Sequence, residues 1–593
     1  MRIHAWLHPS RRVLPGMHER ARSRALSAFA CHAMCGNARA CLQGPEITGA
    51  DLCDLRLAGR SWEFNPAHPV RSALGPYATA GIAHAILCAA DNLFRRAGAE
   101  SPVSGLSLLY GPRFVLFLML LGIERLIETI VAAGDAGISR RHVRCALRSS
   151  WVGLLFLTRP FSNTIEAFVL VGALWLHMRL SHVALGWLVG FGLFVRPTLL
   201  FFTLPLFFLR SARDARAMLI GCSCACLVGT IVDTLYFESA TLLLDARPLV
   251  RADWPSIVRA PLSSAARMSV NGSWTFAPLN FVAYNSQERN LAAHGVHPRW
   301  THVVANLPQL IGPLVVYVLP KWLEAVRVAR VQHAPPANAI LLTTLSGLVC
   351  LSLAPHQEPR FLVPLALPLT ALFAPRLFGE HAFRPVRAAW YASNLLQLLA
   401  WAGLHQAGVT RAMATLPQLA ADAAAATGAG VSECRVLSFH TYMVPRHLLL
   451  ARSGAPDAPP PLRWEVLDLM GSSVDGLHRA LLHNPSAQQH DHAATAAART
   501  RIPPGISDPA SVPTRLCFVL APSTVLLNAP GLSVAALSDG SAVHNDSWSP
   551  QHLVGTPVAS FWPHLSSEDP PQLGEALTAA LRVYRFVGGG VCA

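Results

Sequence analysis

The chain has 593 residues, 52% hydrophobic and only 14% charged, with a formal net charge of +15. Soluble domains carry about 25% charged residues, so this balance excludes an ordinary soluble enzyme and points to a polytopic membrane protein. The positive excess fits arginine in cytosolic loops; no basic face with interleaved aromatics is present, which argues against a nucleic-acid partner.

In chain order, residues 1–36 are rich in Arg and His and form an atypical polar N-terminus. Residues 25–36 are too short and too polar to span a bilayer or to act as a signal peptide. A polar stretch, 37–76, follows. Apolar runs at 78–94, 104–133, 144–158, 164–180, 183–209, 217–236, 302–320, 338–355, 361–376 and 386–404 then predict membrane helices. The run 183–209 is interrupted by Arg196-Pro197 and predicts two helices meeting at a bend, which is tolerated at membrane depth where it lines a cavity. Basic clusters at Arg140–Arg144, Arg210–Arg216 and Lys321–Arg330 predict the cytosolic side. The loops 159–166, 237–301 and 356–360 then face the lumen, as does the sequon at Asn271; a second sequon lies at Asn545.

After Leu404 no further spanning run occurs. Short β-rich stretches at 435–440, 464–469 and 515–520 alternate with Pro/Gly turns and predict a smaller α/β domain over 405–593, interrupted by a disordered insertion at 486–513. Residues 37–404 are the expected transmembrane catalytic domain. Cys222, Cys224 and Cys226 sit in an apolar run as packing residues. Cys434, Cys517 and Cys592 could supply a disulfide if this part is lumenal, with the pairing open. The sequence has no zinc spacing, phosphate-binding loop, dinucleotide fingerprint or Asp-x-Asp motif, and no metal is expected.

The segment His356-Gln357-Glu358-Pro359-Arg360-Phe361 puts an imidazole, a carboxylate and a guanidinium at the mouth of an apolar run. Charges at a membrane boundary are costly unless they bind something. Here they predict a phosphate clamp with an acid/base group, as a lipid-linked phosphosugar would need.

Four blocks carry a resemblance: Gln43-Gly-Pro-Glu46 with Ser61-Trp62-Glu63-Phe64 and Arg71-Ser72; Thr158-Arg159-Pro160-Phe161-Ser162-Asn163-Thr164-Ile165-Glu166; Pro278-Leu-Asn-Phe281 through Tyr284-Asn285, His294-Gly295 and Thr301-His302; and His356 to Pro364. Together they resemble glycosyltransferase family 22, the lipid-linked mannosyltransferases of the endoplasmic reticulum. His440–Leu449 and Phe561–Leu565 with Glu568-Asp569-Pro570-Pro571 narrow the resemblance to the branch acting on glycosylphosphatidylinositol (GPI) precursors. It implies an α-helical polytopic bundle of the GT-C type and lumenal chemistry in the endoplasmic reticulum membrane. The implied donor is dolichyl-phosphate-mannose, with no cofactor. The implied reaction adds an α-1,2-linked fourth mannose to the third mannose of a GPI precursor by a single inverting displacement. The alternatives are transfer of the third GPI mannose, transfer to a dolichol-linked oligosaccharide, or an inactive homologue. A transporter would show inverted repeats and charges spread at mid-membrane, and the sequence shows neither.

The resemblance also implies site residues. Arg159 and Arg360 are expected to grip the donor phosphate, with His356 beside it and Glu358 orienting either cation. Glu166 is expected to pair with Arg159. Trp62, Glu63 and Arg71 shape the site. His440, Arg446 and His447 either help recognise the acceptor glycan or hold the C-terminal fold. Family members carry His-Pro-Asp-Glu just before the first block, and its Asp is the implied base; this chain has Asn37-Ala38-Arg39-Ala40, with Arg39 at the base position. Glu46, which alternatively pairs with Arg71, and Asp51 are the nearest carboxylates. Either residues 1–40 reflect a misplaced exon boundary, which the abrupt resumption of motifs at Gln43 favours, or catalysis has been lost.

Overall fold

The computed structural model describes residues 62–99, 102–134, 138–208, 211–237, 239–244, 247–248, 268–290, 296–328, 336–427, 431–449, 463–482, 514–525, 532–534, 553–565 and 578–587, apart from 67, 288, 442–443 and 470–471. The expectations for 1–36, for the segment around Gln43 and for the insertion 486–513 lie outside these residues.

Helices dominate as far as residue 427. A π turn, Tyr77–Gly81, leads into α1 (Ile82–Arg96); α2 (Gly105–Gly134) and α3 (Arg140–Arg148) follow. The predicted run 144–158 is not one helix: α3 ends at Arg148, and a separate π turn covers Val152–Phe156. Two buried carboxylates of α2 explain why α3 folds back onto it. Glu124 meets Arg148 at 3.0 Å and Glu128 meets Arg144 at 3.2 Å. The cationic partners stay at the surface while the carboxylates are covered.

The next helices are α4 (Ser162–Met178), α5 (His182–Val195), α6 (Leu199–Phe208) and α7 (Ala212–Tyr236). The α5–α6 break falls at the predicted place. A residue before proline avoids the helical region, and Arg196 is extended at φ −154°, ψ 118°. At about 1.5 Å per residue, α6 alone is too short to cross a bilayer. Against α5, α7 packs through small residues. A Cβ added at Gly186 would lie 1.8 Å from the Met218 carbonyl oxygen, and one at Gly221 would lie 2.1 Å from the Val183 carbonyl oxygen. Such close backbone approach is the membrane alternative to hydrophobic association, because lipid is as apolar as Leu.

The polar segment after α7 forms a three-stranded antiparallel sheet, β1 (Ala240–Leu244), β2 (Arg247–Pro248) and β3 (Met268–Gly272), and then α8 (Ala277–Asn285). A nearly continuous helical run, His302–Arg327, bends at Gly312, whose φ of +54° suits glycine, and ends in α9 (Val315–Val328). Then come α10 (Pro336–Ser352), α11 (Val363–Leu372) and α12 (Arg384–Leu398). Residues Val363–Ala371 of α11 are all buried. A helix apolar all round belongs at the centre of a bundle, and the His356–Arg360 loop sits at its mouth. By length and composition α7 and His302–Arg327 can cross a membrane. Leu219, Ile220 and Leu227 of α7 and Val316 and Leu323 of α9 are exposed, a surface that suits lipid.

Beyond residue 404 the chain opens with a 21-residue helix, α13 (Ala407–Thr427), which the strand-weighted reading of this region missed. It lies on a mixed six-stranded sheet in the order β5-β4-β6-β9-β8-β7, formed by β4 (Val431–Ser438), β5 (Arg463–Asp468), β6 (Thr514–Pro522), β7 (Leu532–Val534), β8 (Leu553–Phe561) and β9 (Leu581–Val587). Strand β4 runs parallel to β5 and β6, and α14 (Val474–Leu482) crosses between them. Met413 and Leu416 of α13 pack with Val436 and Phe518 on one face; Leu477 and Leu481 of α14 pack with Leu437 and Val519 on the other. Cover on both faces explains why β6 reads as an unbroken apolar run, Leu516–Ala521, rather than an alternating one. Cys517 is disulfide-bonded, whereas Cys434 is a free, buried thiol.

Gly186→Ala should therefore destabilise the detergent-purified protein by roughly 1–3 kcal/mol or more, the cost of overpacking. Gly122→Ala, where nothing lies within 4 Å of the new methyl, should stay within about 0.5 kcal/mol of wild type. Thermal unfolding of the two variants checks the α5–α7 contact.

Candidate active site

The site is built where helix ends and loops from distant parts of the chain converge. Gln357 fixes the His356–Arg360 loop. Its side chain is 2% exposed, accepts from the His302 amide at 2.9 Å, and donates towards the carbonyls of Ser352, Ala354 and Arg299 at 3.0–3.3 Å. With this glutamine pinned, its neighbours face one another. His356 Nε2 lies 2.8 Å from Glu358 Oε1, and Arg360 Nη2 donates to the same oxygen at 2.9 Å while its Nε meets Oε2. Burial pushes the Glu358 carboxyl up, but the His356 hydrogen bond and the Arg360 charge outweigh it and hold its pKa down at about 2. Glu358 is thus a fixed anion that orients two donors, and a poor proton acceptor.

A second ion pair keys the bend between α5 and α6. Arg196, 5% exposed, reaches back to the start of α4, where its Nε lies 3.2 Å from Glu166 Oε2, and Glu166 is 1% exposed. Its Nη1 donates to Ser162 Oγ at 3.0 Å and approaches Asn163 Oδ1 at 3.4 Å. The guanidinium also sits 5.4 Å from the Phe361 ring centroid, which ties this pair to the His356 loop. Glu166 was expected to pair with Arg159. It points instead to the cation presented by the helix break, because Arg159 lies beyond the N-terminus of α4 and Arg196 faces its first turn.

The third component is the loop before the first π turn. Glu63 Oε1 accepts from Arg71 Nε at 3.0 Å, and Arg71 stacks over Phe281 of α8 at 5.1 Å. Arg71 therefore takes Glu63 as its partner. Ser72 Oγ and the Ala73 amide both donate to Asp233 Oδ1, at 2.8 and 3.1 Å, and so anchor the loop to the end of α7. Asn280 of α8 donates to the Pro69 carbonyl at 3.0 Å from the other side.

These parts enclose a cavity of about 470 Å³, the size of a ligand pocket. Arg71, Arg113, Arg196 and Arg360 line it with Glu63 and Glu358 as the carboxylates, and His356, His84 and His447 add imidazoles. A cavity with this balance is built for an anion. Among the described residues no group of three or more His, Cys, Asp or Glu is placed to hold a metal ion.

Of the residues expected from sequence, Glu63, Arg71, His356, Glu358 and Arg360 come together here. Arg159 does not line the cavity; it lies behind it, near Arg113 and His405. Glu166 supports the cavity from behind through Arg196. His440 is occupied within the C-terminal sheet region, its Nε2 lying 3.1 Å from the Ser472 carbonyl oxygen, and Arg446 lies near Asp468. His447 does reach the cavity. Arg39, Glu46, Asp51 and the side chain of Trp62 lie outside the described residues. Sequence reasoning missed Arg113 and Arg196 as cavity residues, although an arginine inside an apolar run is itself a signal of a functional site. It had no signal for Asp233 or for the structural work of Gln357.

Arg196→Met should destabilise the protein by about 3–5 kcal/mol, because it leaves Glu166 buried and unpaired. Arg196→Met with Glu166→Gln should recover much of that loss, as thermal unfolding of both variants would show. Glu358 titrates lower when folded than its ordinary ~4.3, so its contribution to stability is complete above that value and is lost as pH falls towards about 2. The stability gap between wild type and Glu358→Gln should be constant from pH 5 to 8 and narrow only below about 4.3.

No solved structure matches the chain. Among curated proteins, the human GPI alpha-1,2-mannosyltransferase 4 is 30% identical over 477 residues, covering 72% of this chain and 74% of the relative. The GPI mannosyltransferase 4 of Aspergillus oryzae is 26% identical over 466 residues, covering 72% and 76%. Residues 57–450, which contain every described part of the cavity, match the Alg9-like mannosyltransferase family. This chain belongs to the Alg9-like mannosyltransferase family and is a glycosyltransferase.

Proposed function

We propose that the protein adds an α-1,2-linked mannose, the fourth, to a GPI precursor, with dolichyl-phosphate-mannose as donor. The observation that carries this reading is the cation-lined cavity: it offers guanidinium and imidazole donors where a phosphate leaving group develops charge. The relatives' names supply the acceptor class and linkage. The bonded Cys517 fits an oxidising, lumenal compartment, as does the sequon at Asn271 on β3.

The step is an in-line displacement. An acceptor mannose hydroxyl attacks C1 of the donor as the C1–O bond to phosphate breaks, so that the β-linked donor gives an α-linked product. The hydroxyl proton passes to a carboxylate, and dolichyl phosphate leaves with the bonding electron pair. Arg360 and His356, both oriented by Glu358, receive that charge. Glu358 itself is engaged by a guanidinium and an imidazole and is unsuited to take the proton. Among the described residues Glu63 fits best: it lines the cavity, and Arg71 Nε engages only its Oε1.

The test is transfer of labelled mannose from dolichyl-phosphate-mannose to a trimannosyl GPI acceptor by the purified full chain. Arg360→Gln should raise the donor KM by roughly 10–100-fold, the loss of a charge-assisted hydrogen bond. Glu63→Gln should lower kcat by roughly 10²–10⁴-fold with donor binding intact. If Glu63→Gln is active and Glu46→Gln or Asp51→Asn is dead, the base lies in the preceding segment. If the wild-type chain binds donor but transfers nothing, the inactive-homologue reading stands.

A further inference from the structure

The charges around the cavity fall into two groups. Arg196 lies in the field of Arg71, Arg360, Glu63 and Glu166, each cation having a carboxylate partner. The other group is different. Arg113 of α2 acts on both His447 and Arg159, and His84 of α1 acts on His447. Arg113 and His447 line the cavity, yet Arg113 Nε and His447 Nε2 are buried with no hydrogen-bond partner among the described residues. Among the described residues the cavity's carboxylates, Glu63 and Glu358, pair with Arg71 and Arg360 and not with Arg113.

This grouping is held in place rather than incidental. His447 sits on a short 3-10 turn, Arg446–Leu449, which follows β4 in the C-terminal region. A Cβ at Gly105, the first residue of α2, would come within 2.6 Å of the His447 carbonyl oxygen, so the turn rests directly on α2. Leu109 of α2 packs into the same cluster as Val444 and Leu448. The C-terminal region therefore delivers an imidazole beside the Arg113 guanidinium, which also lies 5.5 Å from the Tyr110 ring centroid of α2. Burial, with His84 and Arg113 beside it, pushes the His447 imidazole down to about 4, so it is uncharged near neutral pH. Arg113 is then a cation with no carboxylate partner among the described residues, which costs stability. A bound anion would remove that cost.

We propose that Arg113 and His447 form a second anion subsite in the cavity, which takes a phosphate group carried by one of the two glycolipid substrates. The proposal rests on the mannosyltransferase reading for the identity of the ligands, but not for its test. Arg159, near Arg113, adds positive charge to the subsite from behind the wall. The active site then holds two phosphates, one at His356 and Arg360 and the other where the C-terminal region meets α2.

The experiment is thermal unfolding of the detergent-purified full chain with phosphatidylinositol, dolichyl phosphate or neutral diacylglycerol, for wild type, Arg113→Gln and His447→Asn. The expected result is that Arg113→Gln without lipid unfolds at the wild-type temperature or above, since an unpaired buried charge has been removed. Its affinity for a phosphate-bearing lipid should fall by roughly 10-fold or more, and His447→Asn should show the same selective loss. Loss for phosphatidylinositol assigns the subsite to the acceptor, and loss for dolichyl phosphate assigns it to the donor. The proposal is overturned if Arg113→Gln is destabilised without lipid yet binds both phospholipids like wild type, or if stabilisation by diacylglycerol falls equally. If the wild-type chain binds these lipids but transfers no mannose, the catalytic reading fails while the subsite stands.

Discussion

The buried pair between Arg196 and Glu166 is the contact on which the rest of the site depends. A guanidinium at this depth is tolerable only with its charge compensated and its donors used. Glu166, Ser162 and Asn163 do both from the first turn of α4. The proline after Arg196 stops α5 there and turns the side chain inwards. Phe361 packs over the same guanidinium, so the His356–Arg360 loop is referred to the helix break and not to solvent. Loss of this pair would leave a bundle whose helices still pack through Gly186, Gly221 and α11, but whose cavity has no fixed floor.

The same rule recurs around the cavity. Charges that face it are set by partners at its edge: Arg71 by Glu63, Arg360 by Glu358, and Arg196 by Glu166. Such pairing holds donors in fixed directions before substrate arrives, which is where electrostatic stabilisation of a leaving phosphate gains most. Arg113 and His447 depart from this rule, as a subsite kept for a second anion would.

Much of the framework was legible in the sequence because membrane helices announce themselves by apolar length. The runs at 78–94, 104–133 and 217–236 correspond to helices close to those limits, and Arg196-Pro197 marks the bend. The His356–Phe361 segment was legible for a different reason: charges beside an apolar run have few innocent explanations. The pairing of Glu358 with His356 and Arg360 was legible from their adjacency, but that of Glu166 was not, since it has arginines available on both sides and only the three-dimensional course of α5 selects Arg196. Nor was α13, whose alanine-rich, modestly apolar sequence resembles a linker until its Met413 face meets the sheet. Gln357 looked like a spacer between two charged residues, and its role appears only in the carbonyls that it binds.

The measurement that bears most directly on this account is mannose transfer by the purified full chain from dolichyl-phosphate-mannose to a trimannosyl GPI acceptor, with the product tested for α-1,2 linkage. The account predicts a tetramannosyl product, lost in Glu63→Gln with donor binding retained. A wild-type chain that binds donor and acceptor and yet forms no such product would contradict it.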